Sequence, residues 1–251
     1  MTKLFQESKS PSFHKPWADC RIGITGASGA LGCALSKKFR KKGAYVIGLT
    51  HRPANDTKLN ELGPNEWVQW FCGQEELLDG TLANLDILIV NHGINPKGKQ
   101  SNIDLNNALQ INALSSWRLM ERFEVVIRND RITRAREIWI NTSEAELMPA
   151  LSPAYEISKR LIGNLVSIKW NQLDMDLKNV LKIRKLILGP FRSELNPLGI
   201  MEADFVADRI IDQSMFDFTL IIVSPNPMTY LLMPITEIFR CIYSKVLSWL
   251  L

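Results

Sequence analysis

The run Asp86-Ile87-Leu88-Ile89-Val90-Asn91 sets four large aliphatic residues side by side with no polar residue between them. Successive side chains of a strand point to opposite faces, so this run has to be covered on both sides. That is the condition of a strand inside a parallel sheet. Apolar runs at 21–25, 45–50 and 66–71 precede it, 137–141 and 182–188 repeat the pattern, and 219–223 supplies a seventh. Helix-like segments at 31–42, 103–129 and 153–177 lie between them. Strands alternating with helices imply right-handed crossovers and an α/β fold, a doubly wound parallel sheet of Rossmann type in three α/β/α layers. We expect one such domain over residues 20–227, a loosely packed extension at 1–19 and a C-terminal amphipathic helix at 228–251.

Composition narrows the partners. The net charge of +4 is mild and forms no stripe of basic and aromatic residues, so no nucleic-acid partner is expected. The four cysteines, Cys20, Cys33, Cys72 and Cys241, are scattered and suit reduced thiols in a cytoplasmic compartment. No metal is expected, because no His/Asp/Glu cluster has ligand spacing.

Two clusters carry chemistry. The turn after the first strand places Gly26, Ser28, Gly29, Ala30, Leu31 and Gly32 at the start of a helix. Gly26 permits the tight turn, Gly29 lets backbone approach a pyrophosphate, and Gly32 lets the helix pack closely on the sheet. The anion would then sit over free N–H groups at the helix N-terminus. At the end of the second strand, residues 48–52 contain no acid to hold ribose hydroxyls, and Arg52 offers a planar cation to a 2′-phosphate. NADP(H) is therefore expected in preference to NAD(H).

The second cluster is Ser143 with Tyr155 and Lys159. Pro153 suits a first helical turn, which sets Tyr155 and Lys159 one turn apart on one face. A phenol with a reference pKa of about 10 is a poor proton shuttle near neutrality, and a cation one turn away favours its phenolate. Ser143, arriving from a strand end, could hold a substrate oxygen against the phenol. Taken alone, a Tyr-x-x-x-Lys spacing is a frequent accident.

Together, T-G-A-S-G-A-L-G at 25–32, N-H-G at 91–93, Asn112, Ser143 and Y-E-I-S-K at 155–159 resemble the short-chain dehydrogenase/reductases over residues 20–225. The resemblance implies that Tyr155 is the general acid/base, that Ser143 positions substrate and that Lys159 binds the nicotinamide ribose. Asn112 would support a water chain to Lys159, while Asn91 and Gly93 would line the cofactor pocket. The stretch 188–193, with Pro190 and Ser193, looks like the family's turn beside the nicotinamide amide. It further implies an NADP(H)-dependent oxidoreductase moving a hydride to or from a small carbonyl or alcohol compound, and a homodimer or tetramer in which Trp170 could lie at the contact.

The chain departs from that pattern in several places. Its glycine spacing fits the longer branch that acts on sugar nucleotides. His92 replaces the usual alanine and reads as a partly buried structural histidine. Gly73 stands where an adenine-contacting aspartate belongs, and only residues 74–85 remain for the next helix, which must be very short. Ser143 is one residue nearer Tyr155 than is usual. An epimerase or dehydratase is weighed and set aside, since about sixty residues after Pro190 leave no room for a second lobe to hold a sugar nucleotide. A non-catalytic dinucleotide-binding scaffold is the other alternative.

In the last segment Leu232, Ile235, Phe239, Ile242, Val246 and Leu250 line one helix face, with Glu237, Arg240, Ser244, Lys245 and Ser248 opposite. Those charges argue against a membrane span. The apolar face is expected either to lie on a membrane surface, with a lipophilic substrate to match, or to pack on the domain or on a second subunit.

Overall fold

The computed structural model describes residues 17–53, 63–97, 101–130 and 134–250. Most of the expected N-terminal extension, residues 1–16, lies outside them. The elements run β1 (Arg21–Thr25), α1 (Ala30–Lys41), β2 (Tyr45–Thr50), β3 (Glu66–Gln69), α2 (Asp79–Leu82), β4 (Ile87–Val90), α3 (Asn102–Ala108), α4 (Ser115–Asn129) and β5 (Arg136–Asn141). They continue with α5 (Pro153–Gln172), α6 (Met175–Val180), β6 (Leu181–Leu188), α7 (Ala203–Met215), β7 (Leu220–Val223) and α8 (Pro227–Leu250).

The seven strands among the described residues are all parallel, in the order β3-β2-β1-β4-β5-β6-β7. The chain therefore reverses direction across the sheet between β1 and β4, where open α/β sheets leave a crevice at the carboxyl ends of their strands. The run that opened the sequence analysis is β4, buried along its whole length. Ile87 and Ile89 enter one core layer with Phe39, Leu35 and Ile210 of α1 and α7. Leu88 and Val90 enter the other with Phe123, Ile162 and Val166 of α4 and α5. Each such side chain contributes about 1.5–3 kcal/mol on burial, so the two layers hold the sheet from both faces.

Several elements differ from the sequence expectation. The 103–129 helix is present over 102–129, but residues 109–114 form a π turn between α3 and α4. The 153–177 segment breaks after Gln172, and Asp174 caps α6 by accepting a hydrogen bond from Leu177 N at 2.8 Å. No element was expected at 203–215, where α7 packs on α1 through Val206, Ala207, Ile210 and Ile211. As expected, residues 74–85 hold only a 3-10 turn, Glu75–Leu78, and the four-residue α2. Glu75 anchors this short segment: it is buried and accepts from Gly73 N, Ser115 Oγ and Arg118 Nε at 2.6–2.9 Å. Burial works against its charge, but those donors more than offset it and hold the carboxyl below its usual range.

Helix α8 shows that the apolar face of the tail does not pack on its own domain. Ile235, Phe239, Ile242 and Val246 are exposed rather than packed on the domain. Met233 is fully buried beside Ile187 and Ile222, on the side of the helix that also carries Glu237. Trp170 is tied inward, donating from Nε1 to the Ile183 carbonyl at 3.0 Å.

Candidate active site

The carboxyl ends of β1, β4, β5 and β6 bring the two clusters together. At β1, Gly26 takes φ +62, a left-handed conformation that favours glycine, and a Cβ there would meet His92 Cα at 2.9 Å. A Cβ on Gly32 would meet the Gly26 carbonyl oxygen at 2.3 Å, so α1 can start this close to the turn only as glycine. Gly29 is the N-cap of α1 with no side-chain cap, and Gly29 and Ala30 are exposed. This leaves the first N–H groups of a twelve-residue helix directed at the crevice, which suits a pyrophosphate. The Leu31 side chain is in the core, so only its backbone can serve that site. Ser28 Oγ lies 3.3 Å from Thr50 Oγ1, which in turn accepts from Arg52 N at 3.2 Å, joining the turn to the end of β2.

At β4, Thr25 Oγ1 accepts from Asn91 N at 2.8 Å and is hydrogen-bonded to His92 Nδ1 at 2.9 Å. His92 stacks edge-on against Trp70, with ring centroids 5.2 Å apart. Burial, helped by the nearby Lys159 cation, lowers its pKa to about 4, so the imidazole is neutral at pH 7. This fits the structural reading of His92 and gives a stability prediction. Above the unfolded value of about 6.5 both states are neutral, and below it the unfolded chain takes the proton first. Stability contributed by neutral His92 should therefore fall as pH drops from 6.5 to 4, by roughly 3 kcal/mol in total. Urea unfolding at pH 7 and pH 4.5 checks it: His92→Gln should lose less stability than wild type, and equal losses would refute it.

Around the π turn, Asn112 is buried and fully engaged. Its Oδ1 accepts from Ile94 N at 2.7 Å, and its Nδ2 donates to the Ile94 carbonyl and to Ser158 Oγ, both at 2.9 Å. A Cβ on Gly93 would sit 3.0 Å from that Oδ1. Asn112 thus ties the segment after β4 to the residue preceding Lys159. A second relay runs through Asn91, whose Oδ1 accepts from Asn141 Nδ2 at 2.8 Å, while the Asn141 carbonyl accepts from Lys159 Nζ at 3.0 Å.

Ser143 follows β5, is buried, accepts from Ala145 N at 3.2 Å and donates to the Leu188 carbonyl at 3.4 Å. Tyr155 and Lys159 lie on the first turns of α5, with Lys159 Nζ 5.7 Å from the phenol ring centroid. Burial raises the Tyr155 pKa, the Ser143 hydroxyl opposes this by hydrogen-bonding the phenol, and Glu144 adds to the rise. Burial lowers Lys159 to about 8 against the pull of Glu146, so the ammonium is still mostly charged at pH 7. After β6, the Pro190 carbonyl accepts from Ile200 N at 2.9 Å, and Ser193 Oγ accepts from Asn196 N at 3.1 Å. Asn95 Nδ2 donates to the Leu195 carbonyl at 3.3 Å, joining the segments after β4 and β6 across the crevice.

The sequence reading did not single out Glu144 or Glu146. Glu144 accepts from Ser224 Oγ and, at 3.3 Å, from Thr229 Oγ1. Their place in the 3-10 turn directly after Ser143 was the available signal. Among the described residues no group of His, Cys, Asp and Glu is disposed to hold a metal ion.

Residues 22–145 match the model of the NAD dependent epimerase/dehydratase family. A monoglucosyldiacylglycerol epimerase of Synechocystis sp. is 40% identical over 227 residues, covering 90% of this chain and 54% of that protein. The chain thus spans about half the length of this curated relative. A short chain dehydrogenase from Burkholderia cenocepacia, solved in complex with NADP, aligns with a TM-score of 0.73 at 15% identity, covering 88% of this chain and 93% of that one.

These similarities overturn the expectation of an NADP(H)-dependent oxidoreductase for free carbonyl or alcohol compounds: the relative that resembles nine-tenths of the chain is an epimerase. The argument that an epimerase needs a second lobe assumed a sugar nucleotide. The lipid in that relative's name has no nucleotide to hold. The sheet order, the glycine turn and the structural likeness establish that this chain has a Rossmann-type α/β fold.

Proposed function

We propose that this chain carries the catalytic centre of a nicotinamide-dependent epimerase that inverts a secondary carbinol carbon in the glucosyl headgroup of a diacylglycerol lipid. The observation that carries the reading is the 40% identity with an epimerase of that description, spread over nine-tenths of the chain. The convergence of the Gly26–Gly32 turn with Ser143, Tyr155 and Lys159 at the same strand ends supports it.

A bound nicotinamide would supply the acceptor for the carbinol hydride and the source of its return. The chain handles the proton. Tyr155 Oη takes the hydroxyl proton when the carbinol is oxidised and returns it when the carbonyl is reduced again. One C–H and one O–H bond break and re-form, so there is no net oxidation. Ser143 holds the reacting oxygen against the phenol, and the Lys159 ammonium favours the phenolate during transfer. Asn91, Gly93, Asn112, Pro190 and Ser193 line or brace the cofactor crevice, with Gly26, Ser28, Gly29, Ala30, Leu31 and Gly32 at its phosphate end. Arg52, with no acid among residues 48–52, supports NADP(H) over NAD(H).

The test is incubation of the protein with a monoglucosyl diacylglycerol in detergent micelles and catalytic oxidised cofactor, followed by analysis of the released hexose. A second hexose epimer should form without build-up of reduced cofactor and, in D2O, without deuterium at the inverted carbon. Stoichiometric cofactor reduction with a keto-sugar product and no epimer would sink the reading. Deuterium at the inverted carbon would replace hydride return by proton abstraction.

A further inference from the structure

Helix α8 turns its charged side toward the protein and its apolar side away. Lys185, fully buried in β6, donates from Nζ to Glu146 Oε2 at 2.7 Å, to Glu237 Oε1 at 2.8 Å and to the Gly163 carbonyl at 2.9 Å. Arg240 Nη1 joins at 2.7 Å from Glu237 Oε1, and Ser167 Oγ donates to Glu237 Oε2 at 2.7 Å. Two cations thus face two carboxylates beneath the helix, and this pairing fixes which side of α8 looks out. On the outer side, Leu231, Ile235, Ile238, Phe239, Ile242 and Val246 are 40–67% exposed. At helical spacing they fall within an arc of about 100°.

We propose that this face of α8 rests on a lipid bilayer at the depth of the headgroups, bringing the crevice to a membrane-held substrate; in that purpose the proposal rests on the epimerase reading. Charge selects the occupant. Glu237 is the one acid of α8 and is turned inward together with Arg240, which leaves the exposed Lys245 at the edge of the apolar arc. A long cationic side chain beside an apolar stripe suits anionic headgroups. No acid of α8 faces outward to pair that cation across a two-fold contact between two such helices. No helix among the described residues is long and apolar enough to cross a membrane, so the helix lies on the surface. Its first turn is also tied to the site, since Thr229 Oγ1 donates to Glu144, the neighbour of Ser143. Leu151, two residues before α5, and Leu198 and Ile200, in the segment after β6, add exposed apolar side chains near that end of the sheet.

Co-sedimentation of the full chain with phosphatidylcholine vesicles, with and without phosphatidylglycerol and free of any glycolipid, tests the surface apart from the enzymology. Wild type should pellet with vesicles, more so with the anionic lipid. The Ile238→Glu/Phe239→Glu double variant should bind at least tenfold more weakly while keeping the wild-type circular dichroism and melting curve. Phe216→Glu, at an equally exposed aromatic residue just beyond α7, should bind like wild type. Wild type remaining in the supernatant with both compositions would overturn the proposal. So would a dimer that the double variant dissolves while no chain binds vesicles, which would make the face a contact between copies. Because the epimerase assay uses micelles and this one uses vesicles without glycolipid, either reading can fail alone.

Discussion

Tyr155→Phe is expected to lower the rate of headgroup inversion by roughly 10²-fold or more while leaving nicotinamide nucleotide binding nearly unchanged. The variant removes only the phenolic oxygen, and the ring keeps its place on α5 beside Lys159. What is lost is the base that accepts the carbinol proton. Burial already disfavours the phenolate, and Ser143 opposes this by hydrogen-bonding the phenol, so no other described group at that point replaces the function. His92 is no substitute, because a pKa lowered to about 4 makes it a weak base and its Nδ1 is occupied by Thr25. Initial rates of epimer formation, paired with cofactor titration by energy transfer from the tryptophans, separate the two effects. Full activity in the variant would remove Tyr155 from the mechanism, and lost cofactor binding would mean that its hydroxyl serves the cofactor site rather than proton transfer alone.

The largest expected loss of stability is at Lys185. Replacing it with methionine keeps most of the side-chain length but leaves Glu146, wholly buried, and Glu237, nearly so, without their central cation. Removing one partner of a buried pair typically costs about 3–5 kcal/mol. The companion variant Lys185→Met/Glu146→Gln removes one of the stranded carboxylates and should recover part of the loss. Equilibrium urea unfolding measures both. A cost under about 1 kcal/mol for the single variant would show that Arg240 and Ser167 satisfy the carboxylates without Lys185.

Much of the fold could be read locally. The β4 run, the glycine turn into α1 and the Tyr155–Lys159 spacing each lie within a few residues, and each has one physical reading in the context of the next. Even the trimmed 74–85 segment was foreseeable, because a residue count limits helix length. The rest depended on partners distant in the chain. Lys185 sits in a run that reads Lys-Ile-Arg-Lys-Leu-Ile-Leu, where its burial makes sense only once Glu146 and Glu237, 39 and 52 residues away, are seen around it. The orientation of α8 follows from that cluster and not from the helix's own pattern, which assigned the faces and left their direction open. In α7, Val206, Ile210 and Ser214 do fall at helical steps, but Asp208, Arg209 and Asp212 between them weaken the pattern. The reaction class misled for a different reason: the glycine spacing pointed to sugar-acting enzymes, and an assumption about substrate size outweighed it.

Helix α8 follows the last strand and looks detachable, yet it supplies two of the three charges around Lys185. Glu146, the carboxylate shared by that cluster, also acts on Lys159 in the crevice. A chain shortened at Pro225 would therefore not be a minimal catalytic unit. It would expose Lys185 and Glu146 to water, and the loss of activity that followed would say nothing about membranes. The working boundary of this domain lies beyond Arg240, and any fusion, truncation or transplant of the fold should treat the sheet and its final helix as one piece.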